Sequence, residues 1–167
     1  MKNINNSNFL RYSRQILLEE IGLSGQNKLK KSKILLIGLG GLGSSAAIYL
    51  AAAGIGTLLL ADYDLVDISN LQRQILYSTD DISKNKSIIS KNKLKKINPH
   101  VKYFSIKKKL NKNNINKYIN YSDLVLDCTD TVYSRNIINY NCVSNNKPLI
   151  SASAIGFNGQ LFSIWPP

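Results

Sequence analysis

A chain of 167 residues suits one domain with one core, and its 44% apolar content is ordinary for a globular protein. The formal net charge of +12 raises nucleic acid as a partner, but nearly all the basic residues are Lys scattered among Asn and Ile, so they read as solvated surface and a nucleic-acid partner is not expected. Cys128 and Cys142 form no CxxC pair and no zinc spacing, so a zinc motif is absent from this chain and both read as small buried residues of a reducing compartment.

Met1–Asn8 is polar and has no apolar signal core. Leu10–Lys31 reads as a helical entry segment, broken near Gly22, Ser24 and Gly25. Lys33–Ile37 (KILLI) is the short apolar run of a strand covered on both faces. The glycine turn Gly38–Gly43 leads into an Ala-rich helix, Leu42–Ala53, and Thr57–Ala61 is the next apolar strand. Ser44–Ala61 is apolar enough to suggest a membrane span, but Gly54 and Gly56 break it, so a buried helix and a buried strand explain it better. The protein is expected to be soluble, with no membrane partner.

Asp62–Gln74 suits loop and short helix. Ser83–Ile97 reads as a Lys-rich helix with Ile88, Ile89, Leu94 and Ile97 on its buried side, stopped by Asn98–Pro99. Strands follow at Val101–Ile106, Asp123–Asp127, Leu149–Ala154 and Gln160–Trp165, with a helix at Tyr133–Ser144. The Asn/Lys-rich stretch Lys107–Lys117 reads as a surface connection, and His100 as an exposed loop residue. Alternating strands and helices predict an α/β fold, a Rossmann-like open and mostly parallel sheet with helices on both faces. Residues 1–31 would form an N-terminal helical segment and 32–167 the nucleotide-binding domain, within one compact unit overall.

The glycine loop supplies the first chemical signal. Gly38, Gly40, Gly41 and Gly43 lie between a strand and a helix, where glycines allow close approach to a phosphate and the helix N-terminus offers free N–H donors. Asp62 ends the second strand, the place where a carboxylate meets ribose hydroxyls. Together they indicate an adenine nucleotide without saying which. The run from Asp62 through Asp64, Asn70, Arg73 and Gln74 suits a triphosphate: Arg73 can fork onto phosphate oxygens, Asn70 can donate a side-chain N–H, and Lys86 can add a point charge. Asp127 and Asp130 flank the mouth of the fourth strand, where a carboxylate can hold Mg²⁺ between phosphates.

These motifs occur together with RYSRQ at Arg11–Gln15, DCTD at Asp127–Asp130 followed by Arg135, and SASAIGFNGQ at Ser151–Gln160. In that combination the chain resembles the ThiF/MoeB family, relatives of ubiquitin-activating enzymes, from about Leu10 to the last residue. The resemblance implies ATP-dependent adenylylation of the C-terminal glycine of a ubiquitin-like sulfur-carrier protein with a Gly-Gly tail, in molybdopterin or thiamine biosynthesis. It implies that Asp62 binds the ribose, that Asn70, Arg73 and Lys86 contact the phosphates, and that Gly41 lies against the nucleotide. Asp130 would hold Mg²⁺, and Arg14 would reach as a finger into the other subunit's site, which makes a homodimer the expected assembly. The implied nucleophile is a carboxylate, ionised above about pH 3.5, so no general base is needed.

Two departures from the family stand out. Thr131 replaces the usual Asn after the DCxD acid, with a shorter reach. The family also continues past this point, so the sixth strand is expected to be an uncovered apolar edge unless another chain covers it. The alternatives are a nucleotide-binding partner subunit or truncated inactive homologue and, from the glycine loop alone, an NAD-dependent oxidoreductase. The expected compartment is the cytoplasm, or the plastid stroma if the Lys/Asn/Ile bias reflects an organelle genome.

Overall fold

The computed structural model describes residues 6–165; the polar Met1–Asn5 and the final Pro166–Pro167 lie outside them. The elements run α1 (Asn6–Ile16), α2 (Gly22–Lys31), β1 (Lys33–Ile37), α3 (Gly41–Ala53), β2 (Thr57–Ala61), α4 (Lys86–Ile97), β3 (Lys102–Ile106), α5 (Asn116–Tyr121), β4 (Leu124–Asp127), α6 (Val132–Ser144), β5 (Leu149–Ile155) and β6 (Asn158–Ile164). The strands form one sheet in the order β3-β2-β1-β4-β5-β6. The first five are mutually parallel, and β6 turns back antiparallel on β5. This is the open α/β sheet of Rossmann type.

After their first residues, Lys33 and Thr57, β1 and β2 are wholly apolar because both faces of the sheet are covered there. Ile34, Leu36, Leu58 and Leu60 pack on one face with Ala47 and Ala51 of α3 and Leu94 of α4. Leu35, Ile37 and Leu59 pack on the other with Ile115, Ile119 and Ile138. The alanines let α3 lie close to the sheet. β6 is an edge strand, with Leu161 and Phe162 exposed. No helix among the described residues is long and apolar enough to cross a membrane.

Several boundaries differ from those the sequence suggests. The break in the entry segment falls at residues 17–21, just before Gly22, and Ser24 and Gly25 lie inside α2. α4 starts at Lys86, three residues later than expected, because Ser83 takes φ 65 and Asn85 caps the helix by accepting the Ile88 N–H. Part of the supposed connection Lys107–Lys117 leads into a helix, α5, seated by Ile115 and Ile119. Cys128 is half-buried and only Cys142 is fully buried; burial pushes the Cys128 thiol up to about 11.

α1 packs at the sheet edge where the strands begin. Arg11 donates to the Ile97 carbonyl at the end of α4, and Gln15 to the Ala53 carbonyl at the end of α3. The buried Tyr12 hydroxyl accepts the Asn98 amide at 2.7 Å. A side chain at Gly54, which takes φ 84, would meet the Tyr12 ring at 2.6 Å.

Candidate functional site

At the opposite edge the chain leaves β1 through Gly38–Gly43. Gly38 takes φ 88, and a Cβ there would lie 2.7 Å from the Cys128 carbonyl oxygen, so the turns after β1 and β4 touch. A Cβ on Gly43 would overlap the Gly38 carbonyl oxygen, so the first turn of α3 is pressed against the loop. No side chain caps α3, and its first N–H groups are left for a ligand at the positive end of the helix dipole.

Asp62 follows β2 and faces this loop. Its carboxylate accepts the Leu39 N–H at 2.7 Å and the Asp64 N–H at 2.8 Å. Burial raises its pKa above the ordinary carboxylate value, opposed by those two N–H donors and by the positive charge of Lys86. Each oxygen keeps a lone pair for a ribose hydroxyl. Asp67 then caps a single 3-10 turn, Ile68–Asn70, by accepting the Ser69 N–H at 2.8 Å.

That turn brings Asn70, Arg73 and Gln74 beside the glycines. The Arg73 stem lies 3.5 Å from the position a Gly41 Cβ would take, and its guanidinium donates to the Asn70 side-chain oxygen at 2.8 Å. The Asn70 amide N–H₂ has no acceptor among the described residues. Gln74 is buried against Gly40, and its side-chain oxygen has no hydrogen-bond partner among the described residues. Lys86 is only 5% exposed; among the described residues the one carboxylate within ion-pairing distance of its ammonium is the exposed Asp64, at 3.6 Å, and no hydrogen bond engages it. Burying an ammonium is costly unless partners satisfy it, so this lysine carries unused donors.

The acids after β4 divide sharply. Asp127 is buried and its carboxylate is fully engaged, accepting Thr129 N–H at 3.0 Å, Thr129 O–H at 2.7 Å and Ser151 O–H at 2.9 Å. Asp130 is exposed, and no hydrogen bond or ion pair engages it among the described residues. Thr131 caps α6 by accepting the Ser134 N–H, so its hydroxyl serves the helix. Arg135 is no free surface residue: it donates to the Thr129 and Ala152 carbonyls and locks the turn after β4 to β5.

Arg14 stands apart from this group. It lies on α1, which contacts the far ends of α3 and α4. The 13 residues of α3 separate that edge from Gly41, a distance of about 18 Å at 1.5 Å per residue. An arginine side chain does not span it, so Arg14 does not reach its own chain's site.

Two supporting residues carry little sequence signal. The Tyr77 hydroxyl donates to the Leu39 carbonyl at 2.8 Å and lies 3.0 Å from the Ser90 hydroxyl, tying the glycine loop to α4. Asn85, recognisable only as a residue type that caps helices, donates to the Asp62 and Asp64 carbonyls at 3.3 and 3.2 Å.

The chain is similar to several known proteins. The ThiF family model matches residues 12–167. The chain is 51% identical to the sulfur carrier protein ThiS adenylyltransferase of Escherichia coli K12 over 98% of its own length and 65% of that protein's. It is 47% identical to the molybdopterin-synthase adenylyltransferase of Haemophilus influenzae over 91% of its own length and 63% of that protein's. The chain thus spans less than two thirds of the length of these relatives. A crystal structure of Escherichia coli MccB with MccA-N7isoASN superposes with a TM-score of 0.85 at 32% identity, over 97% of this chain and 49% of that one. On its motifs, its strand order and these matches, the chain belongs to the ThiF family.

Proposed function

We propose that the crevice at the carboxyl ends of β1, β2 and β4 binds ATP, and that the chain adenylylates the C-terminal glycine of a ubiquitin-like sulfur-carrier protein. The observation that carries this reading is the uncapped N-terminus of α3, with Arg73 against Gly41 and a buried Lys86 whose donors are unused. Those groups suit a chain of phosphates. Asp62 suits the ribose, and Asp64, next to Lys86, orients that ammonium. The adenylyltransferases that the chain resembles support the substrate class.

A carboxylate oxygen of the carrier's last glycine attacks the α-phosphorus. The bond from that phosphorus to the bridging oxygen breaks, and pyrophosphate leaves with the electron pair. No proton moves in this step, so no general base is required. The protein brings two anions together and neutralises charge with Arg73, Lys86 and the α3 N–H groups. Asp130 would hold Mg²⁺: an exposed, unengaged carboxylate fits an ion that takes one or two carboxylates and completes its shell with phosphate oxygens and water. When bound, that ion would neutralise phosphate charge. Arg14 would act from a second copy in a homodimer, which its distance from its own site supports. Two free cysteines suit a reducing compartment, cytoplasm or plastid stroma.

A second reading, a nucleotide-binding subunit without chemistry, draws support from Thr131, whose hydroxyl is spent on the α6 cap. ATP–pyrophosphate exchange with a purified Gly-Gly carrier separates the two. Carrier-dependent exchange, lost in Lys86→Ala, is expected. No exchange, with ATP still raising the melting temperature, would leave the second reading standing.

A further inference from the structure

We infer that Tyr63 is the platform on which the nucleotide base stacks, and that Lys109 holds its ring in place. This deepens the ATP reading and rests on it. With phosphates at the loop after β1 and ribose at Asp62 after β2, the nucleotide crosses the sheet edge from strand to strand. Adjacent strands lie about 4.8 Å apart, close to the offset between a ribose and its base. The next step along the edge is the pair of loops after β2 and β3. They are joined at their roots, where the Asp62 N–H donates to the Ile106 carbonyl at 3.1 Å.

At that point the chain supplies Tyr63 and the run Lys107–Lys109. Tyr63 is 51% exposed, and the Lys109 ammonium sits over its ring, 5.3 Å from the centroid. A cation over an aromatic face fixes the ring without covering it in carbon. β3 is the edge strand, so nothing in the sheet lies beyond to crowd a purine. The nucleotide sugar and phosphates have Asp62, Arg73 and Lys86; between β2 and α4 and between β3 and α5 the other aromatic side chain is Tyr77, which is buried with its hydroxyl on the Leu39 carbonyl and so leaves Tyr63 for the base.

An aromatic platform contributes about five- to hundredfold to affinity when removed by alanine substitution. Tyr63 touches the base and not the reacting phosphorus, so its loss weakens ground state and transition state alike, raising KM with kcat held. Binding of ATP and of inorganic tripolyphosphate by calorimetry tests this in wild type, Tyr63→Ala, Tyr63→Phe and Lys109→Ala. The expected result is ATP weakened at least fivefold in Tyr63→Ala, near wild type in Tyr63→Phe, and weakened about two- to fivefold in Lys109→Ala. Tripolyphosphate binding stays unchanged in all three. ATP bound equally by Tyr63→Ala and wild type would overturn the platform and leave the ATP reading intact. Equal losses of ATP and tripolyphosphate in Tyr63→Ala would overturn it too, since that marks collapse of the loop. A wild-type chain that binds no ATP removes both.

Discussion

Tyr77→Phe isolates the tie between the glycine loop and α4. The Tyr77 hydroxyl has a single proton, which goes to the Leu39 carbonyl at 2.8 Å; the Ser90 hydroxyl therefore donates to Tyr77 across 3.0 Å. Both partners are buried, so the substitution strands one acceptor and one donor while leaving the ring in place. A stranded buried polar group costs about 1–3 kcal/mol, and with relaxation the pair should cost about 2 kcal/mol in all. For a domain of this size that lowers the melting temperature by about 4–8 °C. Ser90→Ala supplies the internal control. It removes the stranded donor, so in the Tyr77→Phe background it should cost less than alone, a coupling of about 1 kcal/mol in a double-mutant cycle. Scanning calorimetry on the four proteins gives all the terms. A fall below 1 °C in Tyr77→Phe, or strict additivity in the cycle, would show that this hydroxyl does not anchor the loop.

Two further outcomes are expected. Arg135→Ala should lower the urea midpoint by the equivalent of about 1–2 kcal/mol, discounted for partial exposure. Arg135→Lys should not restore it, because one ammonium does not reproduce the planar fork whose Nη2 donates to the Thr129 and Ala152 carbonyls and whose Nη1 donates to the Ser151 hydroxyl; full recovery with Lys would refute that account. On the alkaline side, burial raises the Tyr77 and Tyr103 hydroxyls above the ordinary tyrosine value. Their contribution to stability is complete below about pH 10, where the unfolded chain also keeps the proton, and is lost as pH climbs toward the raised values. Denaturant unfolding between pH 9 and 11 should therefore show stability falling with pH, less steeply in Tyr77→Phe.

β1 and β2 are legible because cover on both faces leaves an apolar run, as in the ILLI after Lys33, and α3 is legible by its alanines. α5 is harder to read: five of its six residues are Asn, Lys or Tyr, and only Ile119 within it, with Ile115 one turn earlier, marks the face that packs. The start of α4 depends on the positive φ at Ser83 and on Asn85, details set by the chain returning past Asp62 and Asp64 rather than by periodicity. In the site, the glycines, Asp62, Arg73 and Lys86 announce themselves by spacing. The different fates of Asp127 and Asp130 do not, since they depend on Ser151, 24 residues along the chain, arriving opposite Asp127 on β5. Nor does the support from Tyr77, which lies 38 residues from the carbonyl it holds.

α3 and α4 both begin at the candidate site, at Gly41 and Lys86, and both end against α1. Asn98, just past α4, donates at once to the Tyr12 hydroxyl and to the Ala51 carbonyl of α3. The two helices thus stand like the legs of a pair of compasses on one shared foot. The gap between the phosphate loop and the buried lysine is gauged partly from the other end of the sheet. A substitution that loosens the foot, at Tyr12 or Asn98, changes the setting of the points while leaving every residue proposed to bind the nucleotide unsubstituted.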